Sequence, residues 1–235
     1  MTPLPPQVRT RIKICGLTRE QDVDAAVAAG ADAVGFVLYP PSPRYVTPAR
    51  ALALARRLPP FVTPVLLFVN EKTAKIIAIC SDIPRATVQF HGDESPADCD
   101  RALRPYLRAA RIPLGAGAMA FDLVKYAQDY SNAQAILLDA HVDGYGGGGK
   151  AFDWSLLPPS VDAHLVLSGG LSAANVTDGI LQLRPRCRTL AVDVSSGVET
   201  AKGVKSADKI NQFVAAVRAA DGQFAKSTHV PVPAT

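Results

Sequence analysis

Aromatic side chains make up only 6% of the 235 residues, and the chain has four cysteines, two methionines and one tryptophan. Cys15, Cys80, Cys99 and Cys187 are widely separated and form no CxxC pair. This excludes a zinc ribbon or a dense disulfide scaffold and points to reduced thiols in the cytoplasm. No stretch approaches the roughly 18 apolar residues of a membrane span, and the opening MTPLPPQVRT lacks the apolar region of a secretory signal. A soluble chain with no membrane partner is therefore expected. The 25 basic and 21 acidic residues give a net charge of +4, with neither sign gathered into a block, so no nucleic-acid partner is expected either. A glycine-rich dinucleotide fingerprint is also missing after the first apolar run.

What is present is a regular alternation. The composition, 48% hydrophobic and 20% charged, suits one large core. Short β-rich runs begin near Arg11, Ala33, Thr63, Thr87, Leu107, Ala135, His164 and Thr189, about 25 residues apart, which leaves room for a strand, a helix and two loops per repeat. Helices are expected over Arg19 to Ala29, Thr47 to Arg57, Thr73 to Cys80, Pro96 to Arg104, Phe121 to Asp129, Ala173 to Leu183 and Ser206 to Ala219. Thr47–Pro48 and Ser95–Pro96 read as an N-cap followed by a first-turn proline, and Gly30 as a left-handed C-cap. The sixth helix is the weakest, since FDWSLLPP allows barely a turn and a half before two prolines. Eight even repeats favour an α/β fold, a single (β/α)8 TIM barrel, over a flat doubly wound sheet. The boundaries expected are a flexible extension over residues 1–10, the catalytic barrel over 11–221 and a disordered tail over 222–235.

In such a barrel the active site forms at the carboxyl ends of the strands. The first strand, RIKICG, puts Lys13 and Cys15 on one face and Ile12 and Ile14 on the other; the fourth, TVQFHG, pairs Gln89 with His91 in the same way. The sixth ends on Asp139, and the eighth, AVDVSSG, carries Asp193. A lone strand-end cysteine is usually only a small buried residue, and a lone aspartate is often a helix cap. Convergence of four such strands is harder to explain without pairing or chemistry. Gly169 and Gly170 after the seventh strand, with Ser195, Ser196 and Gly197 after the eighth, occupy the two loops that commonly hold a phosphoryl group, although each cluster alone could be a tight turn. Gly146, Gly147, Gly148 and Gly149, followed by Lys150, suit a mobile lid better than a stabilising turn, with a floppy insertion as the plainer alternative. Arg44, held between prolines, is either a carboxylate clamp or a solvated surface arginine.

Taken together, KICGLT (Lys13–Thr18), SPRYV (Ser42–Val46), QFHGDE (Gln89–Glu94), LLDA (Leu137–Ala140), GGGGKAFDW (Gly146–Trp154), LSGGL (Leu167–Leu171) and VDVSSGVE (Val192–Glu199) resemble the phosphoribosylanthranilate isomerases from about Arg11 to Val217. The resemblance implies a cofactor-free and metal-free Amadori rearrangement of a phosphorylated small molecule, N-(5-phosphoribosyl)anthranilate, in tryptophan biosynthesis. It also implies Cys15 as general base, Asp139 as general acid and Arg44 as the group facing the anthranilate carboxylate. The phosphate would lie on Gly169, Gly170 and Ser195–Gly197, and Asp193 would face substrate hydroxyls. His91 matches the motif with a role in orienting its neighbours, and Lys13 is placed to stabilise a thiolate at Cys15. Monomer and homodimer both suit such a barrel. The chain departs from the family's pattern after GVK, where it reads SADKI rather than an early acidic residue. Two rivals remain. One is the histidine-pathway barrel that performs the same rearrangement with two aspartates; the other is a catalytically silent barrel that binds a phosphosugar or a partner enzyme.

Overall fold

The computed structural model describes residues 9–114, 121–140 and 153–228. Eight strands run parallel in chain order: β1 (Arg11–Cys15), β2 (Ala33–Val37), β3 (Thr63–Phe68), β4 (Thr87–Phe90), β5 (Tyr106–Ile112), β6 (Ala135–Ala140), β7 (Val161–Leu167) and β8 (Cys187–Val194). Each pairs with the next, and β8 returns to β1 with Ile12 opposite Val192 and Lys13 opposite Asp193. The barrel is closed, as expected from the eight repeats, and the flat alternative is excluded.

The two-residue alternation sorts side chains between two cores. Ile12, Ile14, Leu66, Phe68, Val88 and Phe90 join the large cluster between strands and helices. The interior-facing set packs in small groups, Ala109 with Leu137 and Val166, and Cys15 with Val37, Leu67 and Val69. At the amino ends the inward positions are mostly small, among them Ala33, Thr63, Thr87, Ala135 and Thr189, and they line a cavity of about 400 Å³. The barrel is therefore filled in its middle, open at its amino end, and polar at its carboxyl end.

The outer layer consists of α1 (Glu20–Ala28), α2 (Pro48–Ala55), α3 (Thr73–Asp82), α4 (Pro96–Asp100), α5 (Leu123–Asp129), α6 (Val176–Leu183) and α7 (Ala207–Thr228). Thr47 caps α2 through the Arg50 N–H, Ser95 and Asp98 form a capping box on α4, and Gly30 takes φ +89° after α1. Where the weak sixth helix was expected, the described residues form only a 3-10 turn at Trp154–Leu156. Helix α4 stops short of Arg104 because Leu103 adopts φ +51° and Pro105 follows. A short antiparallel hairpin, β9 (Glu199–Ala201) and β10 (Val204–Lys205), lies between β8 and α7 and was not anticipated.

Both expected end boundaries shift. Thr10 is buried rather than part of a flexible extension: its N–H and hydroxyl donate to the Asp221 carboxylate, the hydroxyl at 2.6 Å. Helix α7 continues through Thr228 instead of ending before a tail at Gly222, and the Phe224 ring lies 4.8 Å from the Arg184 guanidinium. An aromatic face over a cation with an apolar stem favours continuing the helix at that point. No helix among the described residues is long and apolar enough to cross a membrane.

Candidate active site

Strand alternation brings Lys13, Cys15 and Asp193 together at the carboxyl ends of β1 and β8. Lys13 Nζ donates to Asp193 Oδ1 at 2.9 Å, and both side chains are buried. The ion pair satisfies a charge that the barrel interior would otherwise exclude. Burial pushes the Cys15 thiol up; the Lys13 ammonium opposes this and the Asp193 carboxylate reinforces it. Burial also works to lower Lys13, but attraction to Asp193 and Cys15 outweighs it and holds the ammonium above its ordinary value. Asp193, expected to face substrate hydroxyls, thus has one oxygen already committed to Lys13.

Across the mouth, Gln89 on β4 meets His91, the first residue after that strand, and His91 meets Asp139 on β6. Gln89 Nε2 lies 3.1 Å from His91 Nδ1, and His91 Nε2 lies 3.0 Å from Asp139 Oδ2. The other carboxylate oxygen accepts the Ala140 N–H at 3.0 Å. A Cβ at Gly169 would fall 2.8 Å from Asp139 Oδ1, and this glycine has φ +76°. Gly169 therefore leaves room for the Asp139 carboxylate on the neighbouring strand as well as making the turn after β7.

Arg44 and the loop after β8 form a third group. The Arg44 guanidinium lies edge-on to Glu199, Nε to Oε1 at 2.7 Å and Nη2 to Oε2 at 2.8 Å. Its sequence-level reading as a surface arginine is excluded by burial. Lys205 Nζ also donates to Glu199 Oε1 at 2.9 Å, and to the Ser195 carbonyl and hydroxyl at 3.0 and 3.2 Å. Burial works to raise Glu199, yet Arg44 and Lys205 hold it below the usual carboxylate range. Burial pulls Lys205 below its ordinary value despite Glu199. Two cations share one carboxylate, which leaves this side of the mouth with one uncompensated positive charge. Gly170 has φ +63°, and a Cβ on Gly197 would sit 1.9 Å from the Leu171 carbonyl oxygen. The glycines after β7 and β8 hence fit backbone against backbone, with Ser196–Val198 forming a 3-10 turn.

The sequence reading missed Gly35, Glu199, Lys205 and the pair Glu94 and Arg108. Glu94 accepts from the Asn70 and Gly92 N–H groups and from Arg108 Nη1 at 3.0 Å, tying the ends of β3 and β4 together. The available signal was a charge inside a motif otherwise made of strand and turn residues. Gly146, Gly147, Gly148, Gly149 and Lys150 lie outside the described residues. Among the described residues, no group of three or more His, Cys, Asp and Glu side chains is arranged to hold a metal ion. The amino-end cavity, lined by such residues as Ala33, Thr87 and Ala135, carries the Arg11–Asp32 ion pair and includes neither Cys15 nor Asp139 in its lining.

Known proteins identify the family. The family model for N-(5'phosphoribosyl)anthranilate (PRA) isomerase matches residues 12–216. The N-(5'-phosphoribosyl)anthranilate isomerase of Methylibium petroleiphilum is 64% identical over 220 residues, covering 94% of this chain and 99% of that protein. The phosphoribosyl anthranilate isomerase structure from Thermotoga maritima is 40% identical at TM-score 0.77, covering 89% and 99% of the two chains, and the Thermotoga enzyme is dimeric. A further isomerase structure, solved with reduced 1-(o-carboxyphenylamino)-1-deoxyribulose 5-phosphate, is 35% identical at TM-score 0.71, with the same coverage. With the barrel closed and Cys15 and Asp139 at its carboxyl end, these matches make the chain a member of the phosphoribosylanthranilate isomerase family.

Proposed function

We propose that this chain isomerises N-(5'-phosphoribosyl)anthranilate to 1-(2-carboxyphenylamino)-1-deoxyribulose 5-phosphate with Cys15 as general base and Asp139 as general acid. The observation that carries the reading is the separation of the two groups: the thiol sits beside the Lys13 ammonium on β1, the carboxyl group beside the His91 imidazole on β6. The Lys13 cation works in favour of thiolate at Cys15, and the Asp139 carboxyl group lies within hydrogen-bond reach of His91 at the other side of the mouth.

Asp139 gives a proton to the ribose ring oxygen as the C1–O bond breaks and the nitrogen lone pair forms a C=N bond. Thiolate Cys15 removes the C2 proton, and those electrons form the C1=C2 bond of an enol amine while neutralising the nitrogen. Proton loss from the C2 hydroxyl and gain at C1 give the ketone. One turnover leaves Cys15 as thiol and Asp139 as carboxylate, so a proton must pass back through solvent before the next.

Arg44 keeps its Nη1 edge for the anthranilate carboxylate while Glu199 holds the other edge, and the +1 balance of the Arg44–Glu199–Lys205 group favours an anion there. The phosphate is assigned to the backbone of Gly169, Gly170, Ser195, Ser196 and Gly197, where glycine lets the chain approach closely. Fluorescence decay of freshly prepared phosphoribosylanthranilate tests the assignment. Cys15→Ser and Asp139→Asn should each lose about 10²- to 10⁴-fold in turnover while still binding the reduced product analogue. Near-normal turnover in either variant removes its role.

A cytoplasmic setting suits the four free cysteines, since the base must stay reduced. A homodimer through the amino end of the barrel is also proposed. Phe61 is 98% exposed at φ +69° on the rim of the 400 Å³ cavity, so one face offers both a protruding ring and a cavity to receive it.

A further inference from the structure

We propose that Gln89 is a positioning residue that fixes the tautomer of His91 and so keeps the proton of Asp139 free for delivery. The proposal deepens, and rests on, the reading of Asp139 as general acid. Gln89, His91 and Asp139 form a buried chain of hydrogen bonds, Nε2 to Nδ1 at 3.1 Å and Nε2 to Oδ2 at 3.0 Å. A neutral imidazole has one donor and one acceptor nitrogen, so the partner of Nδ1 decides what Nε2 offers to the acid.

The amide of Gln89 can face Nδ1 with either end. Its Oε1 is buried with no hydrogen-bond partner, while Nε2 points at the ring. Reversing the amide would strand both N–H donors, whereas the orientation shown leaves one N–H and the carbonyl oxygen; an orphaned buried N–H is the costlier of the two. The amide N–H therefore donates to Nδ1, the ring proton sits on Nε2, and His91 donates to Asp139 Oδ2. Since the Ala140 N–H already donates to Oδ1, both oxygens are anchored by donors.

The consequence falls on the acid. With His91 as a donor, the carboxyl proton is kept off the side that the imidazole covers and is free to leave toward a ring oxygen. In the other tautomer Nε2 would be a lone pair, and the carboxyl O–H would be drawn to it as a hydrogen-bond donor. Asp139 would then hold its proton in the wrong direction.

Two measurements on the full-length protein test this. In ¹⁵N-histidine NMR at neutral pH, with the His91 signals assigned by their absence in His91→Asn, the wild type should show Nε2 protonated and Nδ1 unprotonated. Gln89→Glu replaces the donor by an acceptor of the same shape, so Nδ1 should become protonated, as the other tautomer or as an imidazolium that holds Asp139 as carboxylate. The first state turns the acid proton toward Nε2 and the second removes it, so kcat should fall by about 10- to 100-fold with KM and affinity for the reduced product analogue changed less than about threefold. A protonated Nδ1 in the wild type overturns the proposal, as does a Gln89→Glu protein with the swapped proton and unchanged kcat. If Gln89→Glu does not fold, Gln89→Met serves in its place and should give a mixture of both tautomers; a single Nε2–H species there removes the role of Gln89. Failure of the underlying reading is distinguishable, because it shows as normal turnover in Asp139→Asn whatever the tautomer of His91.

Discussion

Gly35 on β2 stands in register with Cys15 on β1, and a Cβ at position 35 would lie 2.7 Å from the Cys15 sulfur and 3.1 Å from the Lys13 ammonium nitrogen. The thiol and the cation beside it occupy the space that a side chain would take. Gly35→Ala should therefore displace the base: overpacking at such a site costs about 1 to 3 kcal/mol, read as a lower unfolding midpoint. Turnover should fall further than that of a surface Gly→Ala control. Full activity would show that the sulfur can move without consequence.

Arg44 and Glu199 make the second prediction. Arg44→Ala removes the fork from a buried carboxylate and from the proposed substrate carboxylate, a loss on the order of 2 to 5 kcal/mol in binding. KM should rise strongly while kcat changes much less, because this contact lies away from the bonds that change. Arg44→Lys should not rescue it, since an ammonium cannot present two edges to two carboxylates. A collapse of kcat at constant KM would contradict the assignment.

Much of this was legible in the sequence for a simple reason: a parallel strand buried on its outer face must alternate, and Lys13 with Cys15, or Gln89 with His91, can share a face only one way. Barrel closure rested on eight even repeats and the missing dinucleotide fingerprint, since the alternation alone also fits a flat sheet. What could not be read were contacts across the barrel. Glu199 and Lys205 sit on a hairpin too short for any periodicity, and nothing near them in sequence says that their partners are Arg44 and Ser195. Gly35 looks like any strand glycine until the Cys15 sulfur is above it. The end of α7 was placed too early because Gly222 and the loss of an apolar period suggested a tail, whereas the partner of Phe224 is Arg184, after α6.

The third prediction concerns pH. Burial pushes the Cys15 thiol above its ordinary value, with Lys13 acting against the shift. A base of raised pKa is lost as pH falls through that value, so the rising limb of kcat/KM should lie on the alkaline side of neutrality. Lys13→Met removes the cation that favours thiolate and should move this limb to still higher pH. A limb displaced downward in that variant would mean that Lys13 does not act on the thiol.

Phe61 supplies the fourth. If the ring of one copy fills the amino-end cavity of another, Phe61→Asp should convert the dimer to monomers in analytical ultracentrifugation while leaving turnover within about twofold, since the active site is at the opposite end of the barrel. A wild-type protein that is monomeric throughout the micromolar range would remove the proposed dimer.

The last prediction joins the two ends of the chain. Asp221 on α7 accepts hydrogen bonds from Thr10 before β1 and is paired with Arg184 after α6. Burial works to raise this carboxyl group, but the bonds from Thr10 and Arg184 outweigh it and hold it below its ordinary value. A depressed folded-state pKa stabilises the protein above the unfolded carboxyl value, near about 4, and that contribution is lost as pH falls through the folded one. Asp221→Asn leaves the Arg184 guanidinium buried without its counter-charge and should cost about 3 kcal/mol at neutral pH. The gap between wild type and variant in urea midpoint should then narrow steadily as the pH is lowered below about 4. Truncation after Asp221 should also lower the midpoint, by a smaller amount, because it removes Phe224 from the Arg184 face. A gap that stays constant from neutral to acidic pH would show that Asp221 contributes by shape rather than by charge.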